Sequence, residues 1–139
     1  MIRATNERLN DMKKILALLV ATVVAVSAYA GEFADVSVNE VNQLAKSKAA
    51  VIIDVNGAES FKAGHVPGAL DFMAIKDNLA ASLPKDKDAL IVAYCGNPKC
   101  GAYLKAAKAA QKLGYKNIKH MSAGISGWKA AGMKTEAGG

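Results

Sequence analysis

Ala89-Leu-Ile-Val-Ala-Tyr-Cys95-Gly-Asn-Pro-Lys-Cys100-Gly-Ala-Tyr-Leu-Lys105 reads as a buried strand, a short loop bracketed by two cysteines, and a helix. These are the only two cysteines in the sequence, and one loop holds both. A thiol at a strand end, facing a helix N-terminus, sits among unpaired backbone N–H groups and the positive end of a macrodipole. Such a setting favours thiolate over thiol and holds anions. The stretch predicts a reactive cysteine in an anion-binding cradle.

The 139 residues suffice for one domain with a real core and are too few for two ordinary ones. The hydrophobic fraction of 52% is inflated by the N-terminus, where Ile15–Val26 is an apolar run without a charge, its one polar residue Thr22. Lys13 and Lys14 precede the run and Ala28-Tyr29-Ala30 follows it as a small-x-small cleavage site. This three-part pattern predicts a secretory signal peptide, with Met12 a natural start and Met1–Asp11 either an upstream extension or the result of a start placed too early. The alternative, an uncleaved anchor, meets a run short for a membrane span of about 20 residues. Residues 1–30 are therefore read as extension and cleavable leader, and 31–139 as a single domain, exported and periplasmic, with no membrane contact after cleavage.

The whole sequence carries 18 cations against 12 anions, a net charge of +6. Past residue 30 these become 14 against 10, or +4, and all 14 cations are lysine. Scattered lysines without interleaved aromatics give no nucleic-acid signal, while mild basicity favours small anions.

Beyond residue 31, short β-rich runs alternate with helical patterns, which argues for an α/β fold with a parallel sheet. Strands are expected at 33–38, 50–55, 69–72, 89–94 and 117–121. Helices are expected at 40–47 behind an Asn39 N-cap, at 59–63, at 75–83, at 102–113 and at 125–131. In the fourth helix Leu104, Ala107, Ala110 and Leu113 keep helical spacing, and Gly114 suits the position after its end. Thr135–Gly139 reads as a frayed tail. In parallel sheets ligands bind outside the carboxyl ends of the strands, and Asp54 and Cys95 both stand at such ends.

Ile53-Asp54-Val55, Gly64-His65-Val66-Pro67-Gly68-Ala69, the strand ending in Cys95, Gly114-Tyr115-Lys-Asn-Ile118, and Gly124-Ile125-x-x-Trp128-x-x-x-Gly132 follow one another in order. Together they resemble a single rhodanese-like domain over about residues 33–132. The resemblance implies a five-stranded parallel sheet flanked by helices on both faces. It also implies sulfurtransferase chemistry, in which the Cys95 thiolate takes the outer sulfur of a donor such as thiosulfate or polysulfide as a persulfide. A thiophilic acceptor, such as a thiol protein, then receives it. The active-site loop would comprise Gly96, Asn97, Pro98, Lys99 and Gly101, and Asp54 would support it by accepting backbone N–H bonds. The six residues from Cys95 to Cys100 match the length associated with sulfur; the phosphatases and arsenate reductases of this fold use a loop one residue longer.

Two positions depart from the family pattern. Cys100 stands where thiosulfate-using members commonly carry arginine or lysine, and Asn56 where arginine often follows Asp-Val. A guanidinium offers a tetrahedral dianion a planar fork of donors that Lys99 cannot, and Pro98 removes one backbone N–H from the cradle. These departures point away from thiosulfate and toward polysulfide or a protein persulfide. Cys100 admits a resolving or disulfide role against Cys95. Two further readings stand beside sulfur transfer: a thiol–disulfide redox protein using the pair, and a non-catalytic binding module. His65 and His120 read as structural, Trp128 and Tyr115 as core anchors. C-x4-C with no downstream pair is not a zinc spacing, so neither metal nor other cofactor is expected.

Overall fold

The computed structural model describes residues 33–139. The leader, the alternative start at Met12 and the boundary at residue 30 lie outside the described residues. Five strands, β1 (Ala34–Asp35), β2 (Val51–Asp54), β3 (Leu70–Asp71), β4 (Ile91–Tyr94) and β5 (Ile118–His120), form one sheet in the order β1-β5-β4-β2-β3. Every pairing is parallel, with Asp54 opposite Tyr94 and Ala93 opposite His120. The expected α/β class and five-stranded parallel sheet are both present.

The helices are α1 (Val38–Ser47), α2 (Ala58–Ala63), α3 (Phe72–Ile75), α4 (Leu79–Ser82), α5 (Tyr103–Lys112) and α6 (Gly124–Ala130). Strand alternation sorts them onto two faces. On one, Ile52, Val92 and Tyr94 pack with Val41 of α1, Phe61 of α2 and Ile125 and Trp128 of α6. On the other, Ile53, Ile91 and Ala93 meet Phe72 of α3, Leu79 of α4 and Ala106, Ala107 and Ala110 of α5. All four β4 side chains are fully buried, which makes the strand before Cys95 the most enclosed of the sheet. Among the described residues no helix is long and apolar enough to cross a membrane.

Four local expectations are corrected. Helix α1 starts at Val38 with Ser37, not Asn39, as N-cap; the Ser37 hydroxyl accepts from the Glu40 N–H at 3.2 Å. Ser37-Val-Asn-Glu40 has the composition of a capping box. The single helix expected at 75–83 is instead two short α-helical turns separated by a 3₁₀ turn, Lys76–Asn78. Asp71 caps the first turn through the Met73 N–H at 3.0 Å, and Asp and Asn at 77 and 78 are weak helix formers.

Helix α5 turns alanines to the sheet, whereas Leu104 is only half-buried and Leu113 is 36% exposed. Small side chains let this helix lie close over β4 and β5. The C-terminal tail is pinned rather than frayed: His65 and Glu136 exchange both backbone hydrogen bonds at 2.9 Å, and the Gly138 N–H donates to the Lys62 carbonyl. Sequence periodicity could not register this, because the tail is held through its backbone and not by an apolar face.

Candidate active site

The ladder between β2 and β4 runs to the last residue of β4, with the Val55 N–H donating to the Tyr94 carbonyl at 2.9 Å. Cys95 follows at once and is 1% exposed. The chain then crosses the N-terminus of α6, where the Ile125 N–H donates to the Cys95 carbonyl at 2.9 Å and the Ser126 N–H to the Gly96 carbonyl at 3.0 Å. Gly124, at φ +65°, makes this approach possible: a β-carbon there would lie 2.6–2.7 Å from the backbone of Gly96 and Asn97. The start of the loop is thus held from below by β2 and from one side by α6.

Asn97 closes the turn that follows. Its side-chain oxygen accepts from the Lys99 N–H at 2.9 Å and its carbonyl from the Cys100 N–H at 3.0 Å. Asn97, Pro98, Lys99 and Gly101 are exposed. The N–H groups of Gly96, Asn97, Gly101 and Ala102 donate to no protein acceptor among the described residues, and α5 begins at Tyr103. The Cys95–Cys100 loop thus carries free amides and runs directly into α5, features that favour negative charge, while the Cys95 Sγ lies 3.3 Å from the Cys100 carbonyl oxygen.

Cys95 and Cys100 are paired as a disulfide, with Cα atoms 6.3 Å apart, inside the usual range for a bridge. The two ends differ in access, since Cys95 is buried and Cys100 partly exposed.

Asp54 is fully buried one strand away. Its carboxylate accepts from the Tyr94 hydroxyl at 2.6 Å and from the Asn56 N–H at 2.8 Å. Burial pushes its pKa up against these donors, and burial with the adjacent carboxylate raises that of Tyr94. The Tyr94 hydroxyl in turn accepts from the Val66 N–H at 3.0 Å. Asp54 therefore braces the residue before Cys95 and the turn at Val66, and it receives no hydrogen bond from residues 96–101.

Residues 37–131 match the rhodanese-like domain family. The chain belongs to that family. It is 30% identical over 105 residues to the thiosulfate sulfurtransferase GlpE of Shewanella oneidensis, covering 71% of this chain and 95% of that protein. It is 34% identical over 89 residues to the HTH-type transcriptional regulator Rv0324 of Mycobacterium tuberculosis, covering 63% of this chain and only 38% of that longer protein. Among solved structures, the BH2092 protein of Bacillus halodurans aligns with a TM-score of 0.65 at 25% identity, over 75% of this chain and 77% of that one.

Within this rhodanese-like domain several neighbours of the loop are not evident from sequence. The His120 ring stacks on Tyr103 of α5 at 3.3 Å, and burial lowers its pKa against the opposing pull of Asp35. Asn56 has a buried side-chain nitrogen with no hydrogen-bond partner among the described residues, and its oxygen stands 3.5 Å from where a β-carbon on Gly96 would be. His65, by contrast, is structural in its contacts: it stacks on Phe61 at 3.6 Å and its Nδ1 lies 2.7 Å from the Phe61 carbonyl. Trp128 and Tyr115 are buried, their polar atoms donating to the carbonyls of Lys134 and Pro84. A cavity of about 600 Å³ lies elsewhere, lined by residues that include Lys48, Val51, Pro67, Leu83 and Glu136, and no loop residue borders it.

Proposed function

We propose that this rhodanese-like domain is a sulfurtransferase or sulfane-sulfur carrier with Cys95 as its persulfide site, in an exported, periplasmic protein whose leader ends at Ala30. The observation that carries the reading is the seating of Cys95 at the end of the most enclosed strand, opening a loop whose Gly96, Asn97, Gly101 and Ala102 amides have no protein acceptor among the described residues and which leads into α5. The reduced Cys95 thiolate attacks the outer sulfur of a sulfane donor, forming Cys95–S–S⁻ as the donor's inner group leaves with the bonding pair. An acceptor thiolate then takes the terminal sulfur and Cys95 leaves as thiolate. The amides around the loop stabilise the anion at both stages.

The absence of arginine past residue 30 supports polysulfide or a protein persulfide over thiosulfate as donor. After reduction and incubation with polysulfide, intact mass should rise by about 32 Da, the persulfide increment. Cys95→Ser should abolish the gain, whereas sulfur carried on Cys100 alone would overturn the assignment. A first residue of Gly31 in protein recovered from the periplasm would test the leader.

The paired cysteines favour a second reading, a thiol–disulfide redox protein. Two free thiols in protein isolated under oxidising conditions would exclude it.

A further inference from the structure

A disulfide presents two electrophilic sulfurs, and which one an incoming thiolate reaches decides which cysteine is set free. Here the two are unlike in three respects. Cys95 is 1% exposed, its carbonyl held by the Ile125 N–H of α6, whereas Cys100 is partly exposed at the end of the exposed run Asn97-Pro98-Lys99. Cys95 is followed directly by Gly96 and Asn97, whose amides donate to no protein acceptor among the described residues; free amides beside an expelled thiolate stabilise it, and a stabilised thiolate leaves faster. The Lys99 ammonium is exposed one residue before Cys100 and draws an anionic nucleophile to that end of the bridge.

We infer that Cys100 is the sulfur through which an external thiolate opens the Cys95–Cys100 bridge, and that the thiolate belongs to a dithiol. The inference rests on Cys95 as the sulfur-carrying residue, since its consequence is to deliver Cys95 free for loading. In the first step the partner's thiolate forms a bond to the Cys100 sulfur, the bridge breaks, and Cys95 departs with the electron pair. In the second, the partner's other thiolate attacks the partner sulfur of the mixed disulfide and Cys100 leaves as thiolate. The partner is oxidised by two electrons to its own disulfide and this chain gains two thiols, so electrons and protons balance. A dithiol partner is required for completion because a mixed disulfide with a monothiol lies within reach of the Cys95 thiolate, which closes the bridge again.

The test uses the oxidised wild-type protein and glutathione as the probe thiolate, with quenching by excess N-ethylmaleimide at short times. Trypsin cleavage after Lys99 places Cys95 and Cys100 on different peptides. The expected result is glutathione on Cys100 and maleimide on Cys95, with the Cys100 adduct in excess by about tenfold or more. Comparable or greater glutathione on Cys95 overturns the inference, as does protein that holds no bridge under oxidising conditions. A dithiol, dithiothreitol, should release both thiols under conditions where an equal thiol concentration of glutathione leaves most of the bridge closed; equal release by both would remove the requirement for a dithiol. The sulfur-carrier reading is measured separately by persulfide loading of Cys100→Ser, which has no bridge to open. Failure of loading there refutes that reading without altering the pattern of thiol attack.

Discussion

Gly124 and Gly96 approach so closely that a β-carbon at position 124 would stand 2.6 Å from the Gly96 carbonyl carbon. The contact brings the first N–H groups of α6 onto the carbonyls of Cys95 and Gly96, and so sets the path of the cysteine loop.

Gly124→Ala is expected to cost about 2 to 4 kcal/mol, combining a left-handed backbone penalty of about 1 kcal/mol with an overpacking cost. Gly132 separates the two effects. It has φ +75° and nothing within 4 Å of an added β-carbon, so Gly132→Ala should lose only about 1 kcal/mol. Denaturant midpoints measure both. Equal losses would show that the approach to Gly96 carries no strain.

Tyr94→Phe removes the donor at 2.6 Å from the Asp54 carboxylate and the acceptor of the Val66 N–H. The Val66 N–H loses its acceptor and the Asp54 carboxylate one of its two donors, and the expected loss is about 2 to 4 kcal/mol. A urea titration showing less than about 1 kcal/mol would mean that water replaces the hydroxyl.

Asp54 links stability to pH. Its folded pKa is raised above 3.8, chiefly by burial, so the folded state binds this proton more tightly than the unfolded chain. Its contribution is fully present below the unfolded value and is lost as pH rises through the folded one. Stability of the wild type relative to Asp54→Asn should therefore decline across that window. A flat or rising difference would contradict the burial effect.

Lys99→Glu reverses the charge beside Cys100. Opening of the bridge by glutathione, whose thiolate form is anionic overall, should slow several-fold, and added salt should narrow the difference between wild type and variant. Cysteamine, whose thiolate form is neutral overall, should distinguish the two proteins far less. Indistinguishable glutathione rates would assign Lys99 no part in guiding the nucleophile.

Much of the architecture was legible along the chain. The apolar runs around Ile52 and Val92 demand burial on both faces and thereby announce central parallel strands. A cysteine at the second run's end, before an alanine-rich helix, points to the candidate site. Leu104 and Leu113 misled because helical spacing cannot tell which of two adjacent stripes meets the sheet, and closeness of packing selected alanine.

By itself, the sequence determined the α/β class, the strand carrying Cys95 and the length of its loop, because each is encoded in the burial needs and turn chemistry of adjacent residues. Only the tertiary structure decided that α6 clamps that loop at Gly124, that Asp54 braces Tyr94, and that the tail pairs with His65. It also decided that Cys95 is the buried end of the bridge and Cys100 the accessible one. These are relations between segments 28 to 71 residues apart, or between a residue and whatever covers it. Short-range patterns carry no term for them; they exist once the sheet has brought the strand ends together.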